Sequence, residues 1–201
     1  MRKSLFTILF CAVAISGFAQ KFSQISGNLK ALKGEKQFVI AFDYSNMNVG
    51  KMTEQEYLDK KSAESEAKEP GKGALFIKNW QNARKERFEP SFIELFNKVG
   101  EDHTAHADKS NPDAKYLITV RTTFTEPGFN IGIMRQPAYI NVEYTFTAIS
   151  DPSKPIAVIQ STRIPGRDAM GYDFDAAYRI QEGYSKGGKS LAVYLAKQIW
   201  K

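Results

Sequence analysis

From Lys115 to Ile164 apolar and polar residues alternate in three successive runs. Ala138, Ile140, Val142, Tyr144, Phe146 and Ala148 are interleaved with Tyr139, Asn141, Glu143, Thr145 and Thr147. In the run before, Tyr116, Ile118, Val120 and Phe124 alternate with Thr119, Arg121, Thr123 and Thr125. A period of two predicts strands with one apolar and one polar face. In the third run Ile156, Val158 and Ile164 are expected to share a face, although Ala157 and Ile159 blur its alternation. Asp151-Pro152-Ser153-Lys154-Pro155 reads as the hairpin turn before it.

The pattern around this meander is mixed. Gln37–Tyr44 is apolar on both faces, as an inner strand is. Phe22, Ile25, Leu29 and Leu32 fit a short amphipathic helix, with an extended segment the competing reading. Thr53-Glu54-Gln55-Glu56 has the form of a capping box opening a charged helix that stops near Pro70-Gly71. Ala74–Val99 carries Phe76, Trp80, Phe88, Phe92, Phe96 and Val99 at helical spacing, interrupted at Pro90, where a kink or a junction of two helices is expected. From Asp173, a candidate cap, to Trp200 the chain is helical again, with Leu191, Leu195 and Ile199 as a stripe. Gly183, Gly187 and Gly188 either break this helix or let it approach another backbone closely. The expected fold is α+β and two-layered: a four-stranded, mostly antiparallel sheet in the order β-α-α-β-β-β-α, with helices on one face.

Composition places the chain in a compartment. Arg2-Lys3, the apolar run Leu5–Ile15 and the small residues ending at Ala19 read as a secretory signal peptide over 1–20, leaving 21–201 as one α+β domain. The expected location is the periplasm or the outside of a Gram-negative bacterium. Cys11 is the only cysteine and lies in that leader; the apolar run continues past it, which disfavours lipoprotein anchoring. The core must then hold without a disulfide, and 14 Phe with 9 Tyr supply it. No later run is apolar enough for a transmembrane segment. The net charge of +6 is spread along the chain and never forms a basic run, so no nucleic acid partner is expected.

Candidate chemistry is sparse. Gly183 to Ser190 matches the phosphate-loop formula, but no strand leads into Gly183, and no nucleotide is expected. Asp102, His103, His106 and Asp108 are the one cluster with metal-ligand chemistry, yet they lie in what reads as a polar loop, Glu101–Asp113, without a second ligand pair. Neither a metal nor a cofactor is expected, and no catalytic residue is assigned. What remains is the polar side of the meander, where Arg121, Thr123, Asn141, Glu143, Thr145, Ser161 and Arg163 are expected together. The apolar link from Glu126 to Pro137, with Phe129, Ile131, Ile133 and Met134, stands at its rim. The candidate binding residues are Arg121, Asn141, Glu143, Arg163, Phe129, Ile131 and Met134.

The segments Gln37–Asp43, Phe92–Gly100, Ala114–Val120 and the closing helix Leu191–Ile199 follow one another in an order that resembles the N-terminal domain of TolB and LpoB-type envelope proteins. That resemblance implies a non-enzymatic role through an envelope protein partner. Two other functions stay open: a secreted hydrolase acting on glycans or peptides, and a binder of a small molecule or lipid beneath the Glu126–Pro137 link.

Overall fold

The computed structural model describes residues 21–131, 134–166 and 175–201. The leader, Cys11, Gly132, Ile133 and the cap expected at Asp173 lie outside them. The strands are β1 (Lys21–Gly27), β2 (Gln37–Asp43), β3 (Asn48–Val49), β4 (Met52–Thr53), β5 (His106–Asp108), β6 (Tyr116–Glu126), β7 (Phe129–Asn130), β8 (Arg135–Gln136), β9 (Ala138–Ala148) and β10 (Asp151–Gly166). The helices are α1 (Glu54–Glu66), α2 (Lys72–Ala83), α3 (Glu89–Gly100) and α4 (Ala176–Gln198).

One sheet holds eight strands, with the main path running β1-β10-β9-β6-β2-β5; β3 and β4 extend it beside the end of β6. The α+β class stands, but the four-stranded expectation is corrected to eight. The meander β6-β9-β10 is antiparallel throughout. β2 joins it beside β6, and in parallel, because α1, α2 and α3 carry the chain back across the sheet before β6 begins. As its two apolar faces imply, β2 is an inner strand, with β5 on its other side.

The missed strands share a cause. At Phe22 the chain takes the extended of its two expected forms, as β1, and only a single turn at Leu29–Leu32 is helical. As an edge strand it is buried on neither face, so no period of two marks it. β5 is only three residues long and lies in what reads as a polar loop, next to a helical turn at Glu101–His103. The turn into β10 is at Ile149 and Ser150, and Asp151 to Pro155 already belongs to the strand as an irregular stretch.

Bulges decide which residues face the core. In β10 the buried set is Ala157, Ile159 and Ser161, not Ile156 and Val158; an irregularity between Ser161 and Ile164 then returns Ile164 to the core. In β6 a shift between Thr122 and Phe124 turns Thr125 inward and Phe124 to the other face.

Helices α3 and α4 cover the face carrying Phe38, Ile40, Ile118, Val120, Ile140, Val142 and Phe146. Phe92 and Phe96 of α3 and Leu191 and Leu195 of α4 are fully buried there, each worth about 2 kcal/mol of apolar burial. The kink expected at Pro90 takes the form of a π-helical turn, Arg84–Phe88, between α2 and α3. Proline has no amide to donate and crowds the preceding turn, and the wider π turn accommodates both. α4 is unbroken through its glycines. A Cβ at Gly188 would lie 2.0 Å from the Phe92 carbonyl oxygen, so glycine is what lets α4 lie against α3. A smaller core of Met47, Val49, Tyr57 and Leu58 holds α1 to the β3–β4 end.

Candidate functional site

The face of the sheet away from α3 and α4 carries half-exposed side chains over Thr119–Arg121, Tyr139–Thr145 and Val158–Thr162, except inward-facing ones. Among the described residues no helix covers it. Register places Asp43, Arg121, Glu143, Gln160 and Ser23 in one row across five strands. Arg121 donates to Glu143 Oε1 from Nη2 at 2.8 Å and from Nε at 3.3 Å, the cross-strand pair that the alternation implies. A pair this exposed contributes well under about 1 kcal/mol and mainly fixes the two side chains in place.

Asn141 and Arg163 meet as well, through the backbone. Asn141 Oδ1 accepts the Arg163 amide at 2.8 Å. Arg163 sits in the β10 irregularity with φ of 56°, a left-handed conformation that side chains other than glycine adopt at a cost of about 1 kcal/mol. Its guanidinium lies 5.1 Å from the centre of the Tyr139 ring, and Tyr139 stacks on Phe124 at 5.4 Å. This cation–aromatic stack was not legible in the alternation, which places Phe124 in the core. Ser161 is the opposite correction: it is buried on the helix side and leaves the candidate face.

Phe129, Ile131 and Met134 belong to the β7–β8 ribbon, and they are 37%, 62% and 58% exposed. The base of the ribbon is fixed by Arg179 of α4, itself buried, which donates to the Pro127 carbonyl at 3.0 Å and the Gly128 carbonyl at 3.1 Å. Gly128 has φ of +61°, and a Cβ there would run into the Gln136 carbonyl. The link therefore does not fold back over the core; it presents apolar side chains on a rigid footing.

Polar and ionisable side chains also cluster elsewhere. Glu54 accepts from Trp80 Nε1 at 2.6 Å and pairs with Arg84, whose guanidinium lies 4.3 Å from the Tyr44 ring. Tyr44 donates to Glu89 at 3.4 Å, and Tyr184 shares a 2.6 Å hydrogen bond with Thr122. Burial holds both phenols well above their ordinary range, so they stay neutral. The set ties α1, α2, α3 and α4 to the ends of β2 and β6. A cleft of about 340 Å³ between α2 and the start of α4 contains Trp80, Phe76, Glu86 and Asp175. Asp175 caps α4 and faces Arg87 at 3.4 Å, and burial pushes nearby Tyr57 up to about 12. His103 packs against Trp200 and His106 opens β5; among the described residues no three His, Cys, Asp or Glu side chains gather as metal ligands. Gly183 to Ser190 form inner turns of α4, where backbone amides are spent on the helix.

No protein-family model matches this chain, and no curated protein does. Among solved structures it is similar to the PelC dodecamer from Paraburkholderia phytofirmans, at 13% identity and a TM-score of 0.39 over 87% of this chain and 98% of that one. It is similar also to a protein of the family model DUF330 from Xanthomonas campestris, at 10% identity and a TM-score of 0.39 over 86% of this chain and 90% of that one. At these values the likeness is one of outline, and neither function nor assembly transfers. The likeness to TolB and LpoB-type proteins is not shown.

Proposed function

We propose that this chain is an exported, non-enzymatic protein of the bacterial envelope that captures a protein partner on the open face of its sheet. The observation that carries this reading is the uncovered row from Asp43 to Gln160, with the Arg163–Tyr139–Phe124 stack at one end of the face. Paired strands hold those side chains rigidly, and a partner that matches them loses little freedom in meeting them. The exposed Phe129, Ile131 and Met134 supply apolar area of the kind that anchors an interface. Export is supported by the leader-like pattern of residues 1–20.

A polar, uncovered sheet favours contact over chemistry. A hydrolase would need convergent carboxylates; Glu86 and Asp175 both line the helical cleft, and Asp175 is paired with Arg87. A small-molecule or lipid binder would need a cavity under the Glu126–Pro137 link, and the described apolar side chains Phe129, Ile131 and Met134 are exposed there.

The test is a double exchange, Arg121→Glu with Glu143→Arg, which keeps an ion pair but inverts its direction on the face. Capture of a partner from envelope extract should be lost while the melting temperature holds. Undiminished capture by the exchanged protein rejects the open face as the site.

A further inference from the structure

At the edge of the sheet opposite β5, β1 ends the strand order, and among the described residues no strand pairs with its outer side. It is exposed over most of its length, with Ile25 at 55%. An unpaired edge offers a row of amides and carbonyls to any extended chain. Here the edge runs beside a groove of about 280 Å³ lined by Phe22, Lys189, Ser190, Val193, Tyr194 and Lys197. Its floor is apolar: Phe22 stacks on Tyr194 at 4.6 Å, and Val193 is exposed. Lys189, Val193 and Lys197 recur every four residues and so form a single stripe along α4. The charged residues lining the groove are both lysines.

We propose that β1 and this groove receive an extended segment of a partner protein, added as one more strand, whose α4-facing side chains are by turns acidic and apolar. The backbone edge supplies hydrogen bonds. A strand laid there turns every second side chain toward α4. The apolar side chains facing α4 would meet Phe22, Val193 and Tyr194. Acidic side chains would meet Lys189 and Lys197, which would reject a basic segment. The bulge in β1 adds a handle. Gln24 pairs with Ile159 and Ser26 with Val158, so the β10 ladder passes over Ile25. Proline there removes an amide at a position that has no register partner in β10. The groove lies on the α4 side of β1, whereas Ser23 of the same strand belongs to the open face, and neither proposal needs the other.

The experiment titrates the full chain with a short synthetic peptide of repeating Glu-Thr-Val-Thr, which sets glutamate and valine by turns on one face, against one of repeating Lys-Thr-Val-Thr. Calorimetry gives the affinity, and amide exchange locates the site. Binding of the glutamate peptide is expected, with slowed exchange in β1. A weakening of about tenfold or more is expected for Lys189→Glu with Lys197→Glu, and separately for Ile25→Pro. Melting temperatures check that both variants fold, and the Arg121–Glu143 exchange should leave the affinity unchanged. The proposal is overturned if the two peptides bind alike, if both variants keep full affinity, or if protection falls on β5. It is overturned too if the glutamate peptide does not bind.

Discussion

Glycine at position 188 and glycine at position 183 look the same in the sequence, and the fold separates them. A Cβ at Gly188 meets the Phe92 backbone at 2.0 Å, so Gly188→Ala must push α3 and α4 apart. Gly183 faces the Ile140 side chain at 3.4 Å, which can give way. Urea unfolding should show Gly188→Ala losing about 1–3 kcal/mol of stability. Gly183→Ala should be neutral or gain up to about 1 kcal/mol through helix propensity. Legibility at this scale follows from distance along the chain. The capping box was readable because Thr53 and Glu56 are three residues apart, and both of its hydrogen bonds are present. The inward set Ala157, Ile159 and Ser161 was not, because a single bulge reverses parity and leaves no mark in composition.

Elements are joined here by side chains borrowed across boundaries. Glu66, in the last turn of α1, accepts the amides of Gly71 and Gly73 at 2.9 Å and so caps α2. Those two bonds hold its carboxyl below the usual 4.5, the Gly71 bond most. Because the folded value is the lower one, the contribution is present in full above about pH 4.5 and is lost as pH falls through the folded value. The Gly71 and Gly73 amide shifts should therefore titrate together with a midpoint below 4.5, followed by NMR. In Glu66→Gln that titration should vanish. The helices, their break at Pro90 and the three long strands could be read from pattern, because each buries a long stripe. β1, β3, β4 and β5 could not: they are short or exposed, and long-range pairing alone makes them strands.

For the molecule as a whole, the candidate site was half legible. Arg121, Glu143 and Asn141 fall where alternation puts them, and they touch because β6 and β9 pair directly. Phe124 and the β1 groove escaped, since one depends on a bulge and the other on α4 lying beside an edge strand.

The parallel pairing of β2 with β6 also fixes a history for each chain. Phe38 sits opposite Tyr116, and Phe42 opposite Val120, so this seam closes across a long stretch of polypeptide. The β9–β10 hairpin closes across a short one. Loop closure taxes distant pairs first, so the carboxyl-terminal meander should form early and the β2 seam late. In stopped-flow measurements Phe146→Leu should slow folding, whereas Ile40→Val should chiefly hasten unfolding. A chain that emerges from a ribosome or a pore amino-terminus first therefore holds β2 waiting for β6. If synthesis stops short of Tyr116, Phe38 and Ile40 are left without that seam, as bait for aggregation or for a protease.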